Sequence, residues 1–150
     1  MKTFLYLSLF LNLAFSVSAQ KVNPTYKQVS YGPHKDMTLN FWKVEDKKPT
    51  PLLVHIHGGG WLGGKKHETA NANELKNGCS FASIDYRLAG VKLLPAAVHD
   101  AARAIQFLRT KAKKWNFDPN RIAVIGGSAG AASSLWLAYH DDMANPKSDD

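Results

Sequence analysis

Apolar and polar positions alternate along most of the chain with the two periods that distinguish strands from helices. Five segments have the length and apolar content of strands: residues 26–31, 37–44, 52–57, 79–84 and 121–125. The Gly32-Pro33 turn separates the first two, which predicts an antiparallel pair at one edge of a sheet. The other three are short apolar runs of the kind found in buried parallel strands.

Three segments between and after these strands predict helices: residues 67–76, 96–114 and 129–140. The strongest is 96–114, which follows Pro95 and carries one apolar stripe: Val98, Ala101, Ile105, Leu108 and Ala112. Strands that alternate with helices favour an α/β fold. We therefore expect a mostly parallel sheet with crossover helices and an antiparallel N-terminal edge.

Residues 1–19 have the pattern of a cleaved secretory signal peptide. Lys2 provides a positive start, residues 4–15 are predominantly apolar, and small residues lead to Ala19. The apolar run is shorter than the roughly 18 to 20 residues that span a bilayer. We therefore expect cleavage after Ala19, no stable membrane span, and export to the periplasm or the medium. Residues 20–150 then form the mature part of this chain.

The composition of the 150 residues is that of a globular domain, with 45% hydrophobic and 21% charged positions. The single cysteine, Cys79, can form neither an intrachain disulfide nor a cysteine-based zinc site. A formal charge of +7 raises the question of nucleic acid. The basic residues, including Lys47-Lys48 and Lys65-Lys66, are scattered, so we interpret them as solvated surface and expect no nucleic-acid partner.

A serine stands in a glycine-rich turn at residues 126–130, Gly-Gly-Ser-Ala-Gly, between a predicted strand and a predicted helix. This G-x-S-x-G pattern is typical of a nucleophilic serine. The turn must be tight enough to push the Ser128 hydroxyl outward, so the small residues Gly126 and Gly130 are needed where bulkier neighbours would collide. The helix that follows directs backbone N–H groups towards a developing oxyanion.

A second glycine run, His57-Gly58-Gly59-Gly60-Trp61, follows the predicted strand 52–57. Consecutive glycines let the backbone approach a substrate closely and turn N–H donors towards one point. Together the two motifs supply two halves of an acyl-transfer site.

The same glycines fit two other motifs. Residues 58–63 match G-x-G-x-x-G, and Asp85 ends the next strand where a ribose-binding acid could lie. Residues 59–65 match G-x-x-x-x-G-K, but Lys66 stands where a phosphate loop needs Ser or Thr. Neither alternative explains the serine turn, and we favour acyl transfer without a metal or organic cofactor.

With these motifs the chain resembles the N-terminal part of the α/β-hydrolases, in the hormone-sensitive-lipase-like branch of esterases and lipases. The resemblance also covers Asp85-Tyr86-Arg87-Leu88, Pro95-Ala96-Ala97 and Asp100-Ala101. It implies that Ser128 is the nucleophile and that the N–H groups of Gly59, Gly60 and Ala129 form the oxyanion hole. It further implies that His57 braces the glycine loop, that residues 85–87 are structural, and that the substrate is a small-molecule carboxylic ester. The chain departs from the family pattern at Gly90-Val91 and at His99.

The charged half of a catalytic triad is missing from the chain. In this fold the acid and the histidine follow the serine, and His140 is the one histidine after Ser128. If residues 129–140 form a helix, His140 lies roughly 18 Å from Ser128 along its axis. We therefore expect these residues to be part of a longer enzyme and to be inactive alone. The alternative is a non-catalytic binding module on a hydrolase scaffold.

Overall fold

The computed structural model of the protein describes residues 20–140. The predicted signal peptide and the acidic segment 141–150 lie outside the described residues. The strands of the described part are β1 (Lys21–Val22), β2 (Tyr26–Ser30), β3 (Thr38–Trp42), β4 (Thr50–Ile56), β5 (Ala70–Asn71), β6 (Ser80–Ile84) and β7 (Phe117–Gly126). Its α-helices are α1 (Ala72–Leu75), α2 (Ala96–Trp115) and α3 (Ala129–Tyr139).

Five strands form one mixed sheet in the order β2-β3-β6-β4-β7. The pairs β2/β3 and β3/β6 are antiparallel, whereas β4 is parallel to both β6 and β7. All five residues of β6 are buried, as expected of a central strand. The predicted α/β fold with an antiparallel N-terminal edge is therefore confirmed.

The main core lies between one face of the sheet and α2. Leu52, Val54 and Ile56 alternate with less buried residues along β4 and point into this core. The predicted stripe of α2 packs against it, and its Leu108 is completely buried, which stabilises the fold by about 2 kcal/mol. At the C-terminal end of α2, the centroid of the Trp115 ring lies 4.6 Å from that of the Phe41 ring.

The prediction of a helix at residues 67–76 was wrong for most of its length. Only Ala72–Leu75 is helical, and Ala70–Asn71 forms a strand that pairs with β1. The backbone N–H of Ala72, which a helix over residues 67–76 would bond to Glu68 O, donates to Gln20 O instead (2.9 Å). The N–H of His67 donates to Ser83 Oγ (2.9 Å), which attaches the start of this segment to β6.

Strand β7 is the outermost strand of the sheet in the described part of the chain. It begins at Phe117, four residues before the predicted start, because Phe117 pairs with Thr50 of β4. The register of the β4/β7 pairing then shifts between Thr50 and Leu52. Exposed apolar side chains occur on β7 and on α3: Ile125, Leu135, Trp136 and Tyr139. Between residues 20 and 140, no helix has both the length and the apolar character needed to cross a membrane.

Candidate active site

The two glycine motifs lie side by side because β4 and β7 are parallel neighbours. Ile56 is the register partner of Gly126, so both strands deliver their following loops to the same edge of the sheet. A Cβ built on Gly58 would lie 2.7 Å from the carbonyl oxygen of Gly127 and 3.6 Å from the Cβ of Ser128. The triple-glycine loop therefore touches the serine turn directly.

Ser128 has the backbone conformation of a residue forced outward on a tight turn. Its φ is 52° and its ψ is −119°, a combination that L-residues rarely adopt and that costs on the order of 1–3 kcal/mol. Hydrogen bonds from Gly130 N–H to Gly127 O and from Ala132 N–H to Ser128 O, both 2.9 Å, hold this turn. The residue is exposed, so its hydroxyl is accessible to a substrate.

Gly130 is required because the first turn of α3 packs directly on the end of β4. A Cβ on Gly130 would overlap the carbonyl oxygen of Ile56 and would lie 2.9 Å from that of His57. A Cβ on Gly126 would lie 2.5 Å from the same Ile56 oxygen. The spacing of glycines around Ser128 thus has a steric cause in this structure.

The three predicted oxyanion donors have no acceptor within the described residues. The N–H groups of Gly59, Gly60 and Ala129 donate to no protein oxygen there. Gly59 adopts a φ of 108°, and its carbonyl oxygen accepts from Leu62 N–H (3.0 Å) and Gly63 N–H (3.1 Å), which closes the loop. Ala129 is the first residue of α3, where the helix dipole favours negative charge.

His57 is held in place by its neighbours. Its ring is buried, stacks on Tyr86 with centroids 4.2 Å apart, and places Nδ1 2.8 Å from Gly58 O. The Tyr86 hydroxyl donates to His57 O (2.8 Å), and burial followed by the Asp85 charge raises the pKa of Tyr86 to about 12. The hydroxyl therefore stays protonated as a donor. These contacts fit a bracing role.

Lys66 is not part of a solvated surface, and this prediction was wrong. Its ammonium lies 2.5 Å from Asp85 Oδ2 and 3.1 Å from Thr38 Oγ1, and the residue is 5% exposed. Lys65 is exposed, as predicted. Adjacent lysines look alike in composition, so only the tertiary position of Asp85 distinguishes them.

The same contacts disfavour the two alternative motifs. A dinucleotide or phosphate loop must open directly into a helix, whereas residues 61–69 form an irregular loop. Asp85, which a ribose would need, already accepts from both the ammonium and the backbone N–H (2.6 Å) of Lys66.

Residues 85–87 attach neighbouring segments to one another. The guanidinium of Arg87 binds the carboxylate of Asp100 through Nη2 (2.5 Å) and Nε (2.8 Å), and its backbone N–H donates to the same carboxylate (3.0 Å). Asp100 is buried at the start of α2. The hydrogen bond to Asp100 raises the pKa of Arg87 further, so the guanidinium remains charged.

His140 and His55 are engaged in other contacts. His140 follows the last residue of α3 and places Nδ1 3.1 Å from Trp136 O, which leaves it roughly 18 Å from Ser128 along the helix axis. His55 packs on His67, with ring centroids 4.3 Å apart. Burial, together with the charges of His67 and His57, lowers the pKa of His55 to about 4. Among residues 20–140, no side chain hydrogen-bonds to the Ser128 hydroxyl.

Comparisons with known proteins agree with this geometry. The chain is 37% identical over 116 residues to carboxylesterase NlhH of Mycobacterium tuberculosis, covering 75% of this chain and 36% of that protein. It is 42% identical over 91 residues to an arylesterase of Saccharolobus solfataricus, covering 56% and 30%. The chain thus spans about a third of the length of these curated relatives.

Solved structures show the same fold. An acetyl ester-xyloside bifunctional hydrolase from Caldicellulosiruptor lactoaceticus superposes with a TM-score of 0.66 at 29% identity, over 88% of this chain and 51% of that one. A truncated carbohydrate esterase from gut microbiota gives a TM-score of 0.67 at 26% identity, over 74% and 41%. The model of the BD-FAE family matches residues 40–149. This chain is therefore a member of the BD-FAE family of α/β-hydrolases.

Proposed function

We propose that the chain belongs to a serine hydrolase that cleaves carboxylic esters through an acyl-enzyme on Ser128. The observation that carries this proposal is the pairing of the two motifs. An exposed serine in a strained turn lies against a triple-glycine loop whose amide hydrogens have no acceptor in the described residues. The esterase names of the relatives agree with it.

In the proposed mechanism, Ser128 Oγ attacks the ester carbonyl carbon while a general base removes its proton. The carbonyl oxygen becomes an oxyanion that accepts hydrogen bonds from Gly59, Gly60 and Ala129 N–H. Collapse of this intermediate expels the alcohol and leaves the acyl group on Ser128. Water then attacks the acyl-enzyme and releases the acid.

The proposal requires a histidine base and its carboxylate partner from residues outside those described. His57 is engaged by Gly58 and Tyr86, and His140 is too distant. In this fold both groups follow the nucleophile in the chain.

We further propose export through residues 1–19. N-terminal sequencing of the mature protein tests this proposal by looking for a start at Gln20.

The test compares the complete gene product with its Ser128→Ala variant. We expect hydrolysis of p-nitrophenyl acetate and covalent labelling by a fluorophosphonate, with turnover reduced on the order of 10⁴- to 10⁶-fold in Ser128→Ala. An acetylated xyloside belongs in the substrate set because a structural relative is named for that activity. A folded protein that is silent in both assays contradicts the proposal and supports a binding module.

A further inference from the structure

Trp61 connects three segments around the candidate site. Its indole Nε1–H donates to Ser133 Oγ of α3 (3.1 Å), and its carbonyl oxygen accepts from Ala89 N–H (2.7 Å). Its ring is half-buried and packs against the main core. The residue has a φ of 58°, a strained value that persists only where surrounding contacts enforce it.

Ser133 links Trp61 to Ala129, the residue after the proposed nucleophile. The side chain is 1% exposed, and its hydroxyl donates to Ala129 O (2.9 Å) while accepting from Trp61. A hydroxyl has one proton to donate and lone pairs to accept, so both bonds form together. An unbroken path of hydrogen bonds therefore runs from Trp61 through Ser133 to Ala129.

The path joins the two separate parts of the oxyanion hole. Trp61 follows Gly60 directly in the chain, and Ala129 carries the third donor. A displacement of about 1 Å between such groups can cost on the order of 100-fold in rate. The glycine loop has no strand of its own to fix it beside α3, whereas the indole of Trp61 reaches across to that helix.

We infer that Trp61 is a positioning residue that holds the triple-glycine loop in register with Ala129 through Ser133. This inference rests on the proposed ester hydrolysis at Ser128. Trp61 does not touch the reacting atoms and acts through the geometry of the donors. Loss of the bond therefore lowers transition-state stabilisation more than substrate binding, so that kcat falls while KM changes little.

The chain provides a matched control for Ser133. Ser134 Oγ donates to Gly130 O (2.8 Å), the same bond to the carbonyl four residues earlier, but it does not accept from Trp61. Ser133→Ala and Ser134→Ala therefore remove equivalent helix contacts. Only the first removes the acceptor of the indole. Trp61→Phe keeps an aromatic ring but removes the donor.

Kinetics of the complete gene product test the inference. We expect kcat for p-nitrophenyl acetate to fall about tenfold in Trp61→Phe and in Ser133→Ala, and by no more in the double variant, because both remove one bond. Ser134→Ala keeps the wild-type kcat. In NMR spectra, the Trp61 indole N–H exchanges slowly with solvent in the wild type and in Ser134→Ala, and fast in Ser133→Ala.

Each contrary outcome identifies what fails. Unchanged kcat in both single variants, or losses that multiply in the double variant, overturns the positioning role while the Ser128→Ala result still supports ester hydrolysis. If the exchange rate of the Trp61 indole N–H is the same in Ser133→Ala as in the wild type, the hydrogen bond is absent, and the positioning role is also overturned. Full activity in Ser128→Ala overturns the proposed function, and the role of Trp61 with it.

Discussion

The carboxylate of Asp85 binds Lys66 at one end of the glycine-rich loop and lies near His57 at the other. Its Oδ2 lies 2.5 Å from the ammonium of Lys66, and its Oδ1 accepts the Lys66 backbone N–H (2.6 Å) and lies 3.7 Å from His57 Nε2. His57 and Lys66 delimit the loop that carries Gly59 and Gly60. One acidic side chain after β6 thus anchors the C-terminal end of the loop that supplies two proposed oxyanion donors.

Lys66→Met should destabilise the protein strongly, because it leaves the Asp85 carboxylate without its cation. Removing one partner of a buried ion pair costs about 3 kcal/mol or more. The Lys66 side chain is 3% exposed, whereas that of Asp85 is 22% exposed, so we expect the lower end of this range.

Urea unfolding of the complete protein measures this change. The exposed neighbour Lys65 provides the control, since Lys65→Met should alter the free energy of unfolding by less than about 0.5 kcal/mol. Equal effects of the two substitutions would show that the Lys66–Asp85 pair contributes nothing beyond an exposed charge.

Gly130→Ala should destabilise the protein even though alanine is the better helix former. In an open helix the substitution gains about 1 kcal/mol. Here the new Cβ overlaps the Ile56 carbonyl oxygen, and the backbone shift needed to relieve the overlap costs about 3 kcal/mol.

Gly127→Ala is the control for this steric argument, because a Cβ at that position meets nothing within 4 Å. Thermal unfolding should rank the proteins with Gly127→Ala close to the wild type and Gly130→Ala several degrees below it. The opposite order would mean that α3 does not pack on the end of β4 as described.

The elements that place the site could be predicted from local sequence, whereas the contacts that hold it could not. The strands before His57 and Gly126 are short apolar runs, and the glycine spacing around Ser128 has a steric cause in the adjacent strand. The apolar runs and the G-x-S-x-G spacing are visible in short stretches of the sequence, although the Ile56 carbonyl that requires those glycines lies in a distant segment. The helix predicted at residues 67–76 failed because β5 pairs with β1 and Gln20 O accepts the Ala72 N–H that a helix would bond to Glu68 O.

Long-range pairs had no local pattern to indicate them. Trp61 and Ser133 are 72 positions apart, and neither residue type predicts the other. The sequence predicts a surface position for Lys66 for the same reason, since its burial depends on Asp85 and Thr38 from two other strand regions. An indole donor beside a glycine loop was visible in the sequence, but its acceptor was not.

His55 should make the stability of the protein pH-dependent between about pH 6.5 and pH 4. Its pKa is about 4 in the folded protein, against an ordinary value of 6.5, because burial disfavours the charged ring. In this interval the unfolded chain binds a proton that the folded chain does not. Stability is therefore fully present above pH 6.5 and falls as the pH is lowered towards 4.

A shift of this size corresponds to about 3 kcal/mol for a fully buried group, but the ring is half-buried, and screening by solvent reduces our expectation to about 1 kcal/mol. His55→Gln should remove this part of the pH dependence in urea unfolding between pH 7 and pH 4.5. The exposed His99 is the control, and a pH dependence that His55→Gln leaves intact would assign the effect to other groups.

The strained turn at Ser128 predicts that stability and activity can be separated at one residue. Ser128→Gly and Ser128→Ala both remove the proposed nucleophile, but only glycine adopts a φ of 52° and a ψ of −119° without strain. Relief of on the order of 1–3 kcal/mol exceeds the entropy cost of a new glycine, so Ser128→Gly should be more stable than Ser128→Ala by about 1 kcal/mol. Thermal unfolding of the two inactive variants makes the comparison without any contribution from substrate or acyl-enzyme. If Ser128→Gly is no more stable than Ser128→Ala, the turn is unstrained, and the serine would have to be presented by the loops around it instead of by its own backbone.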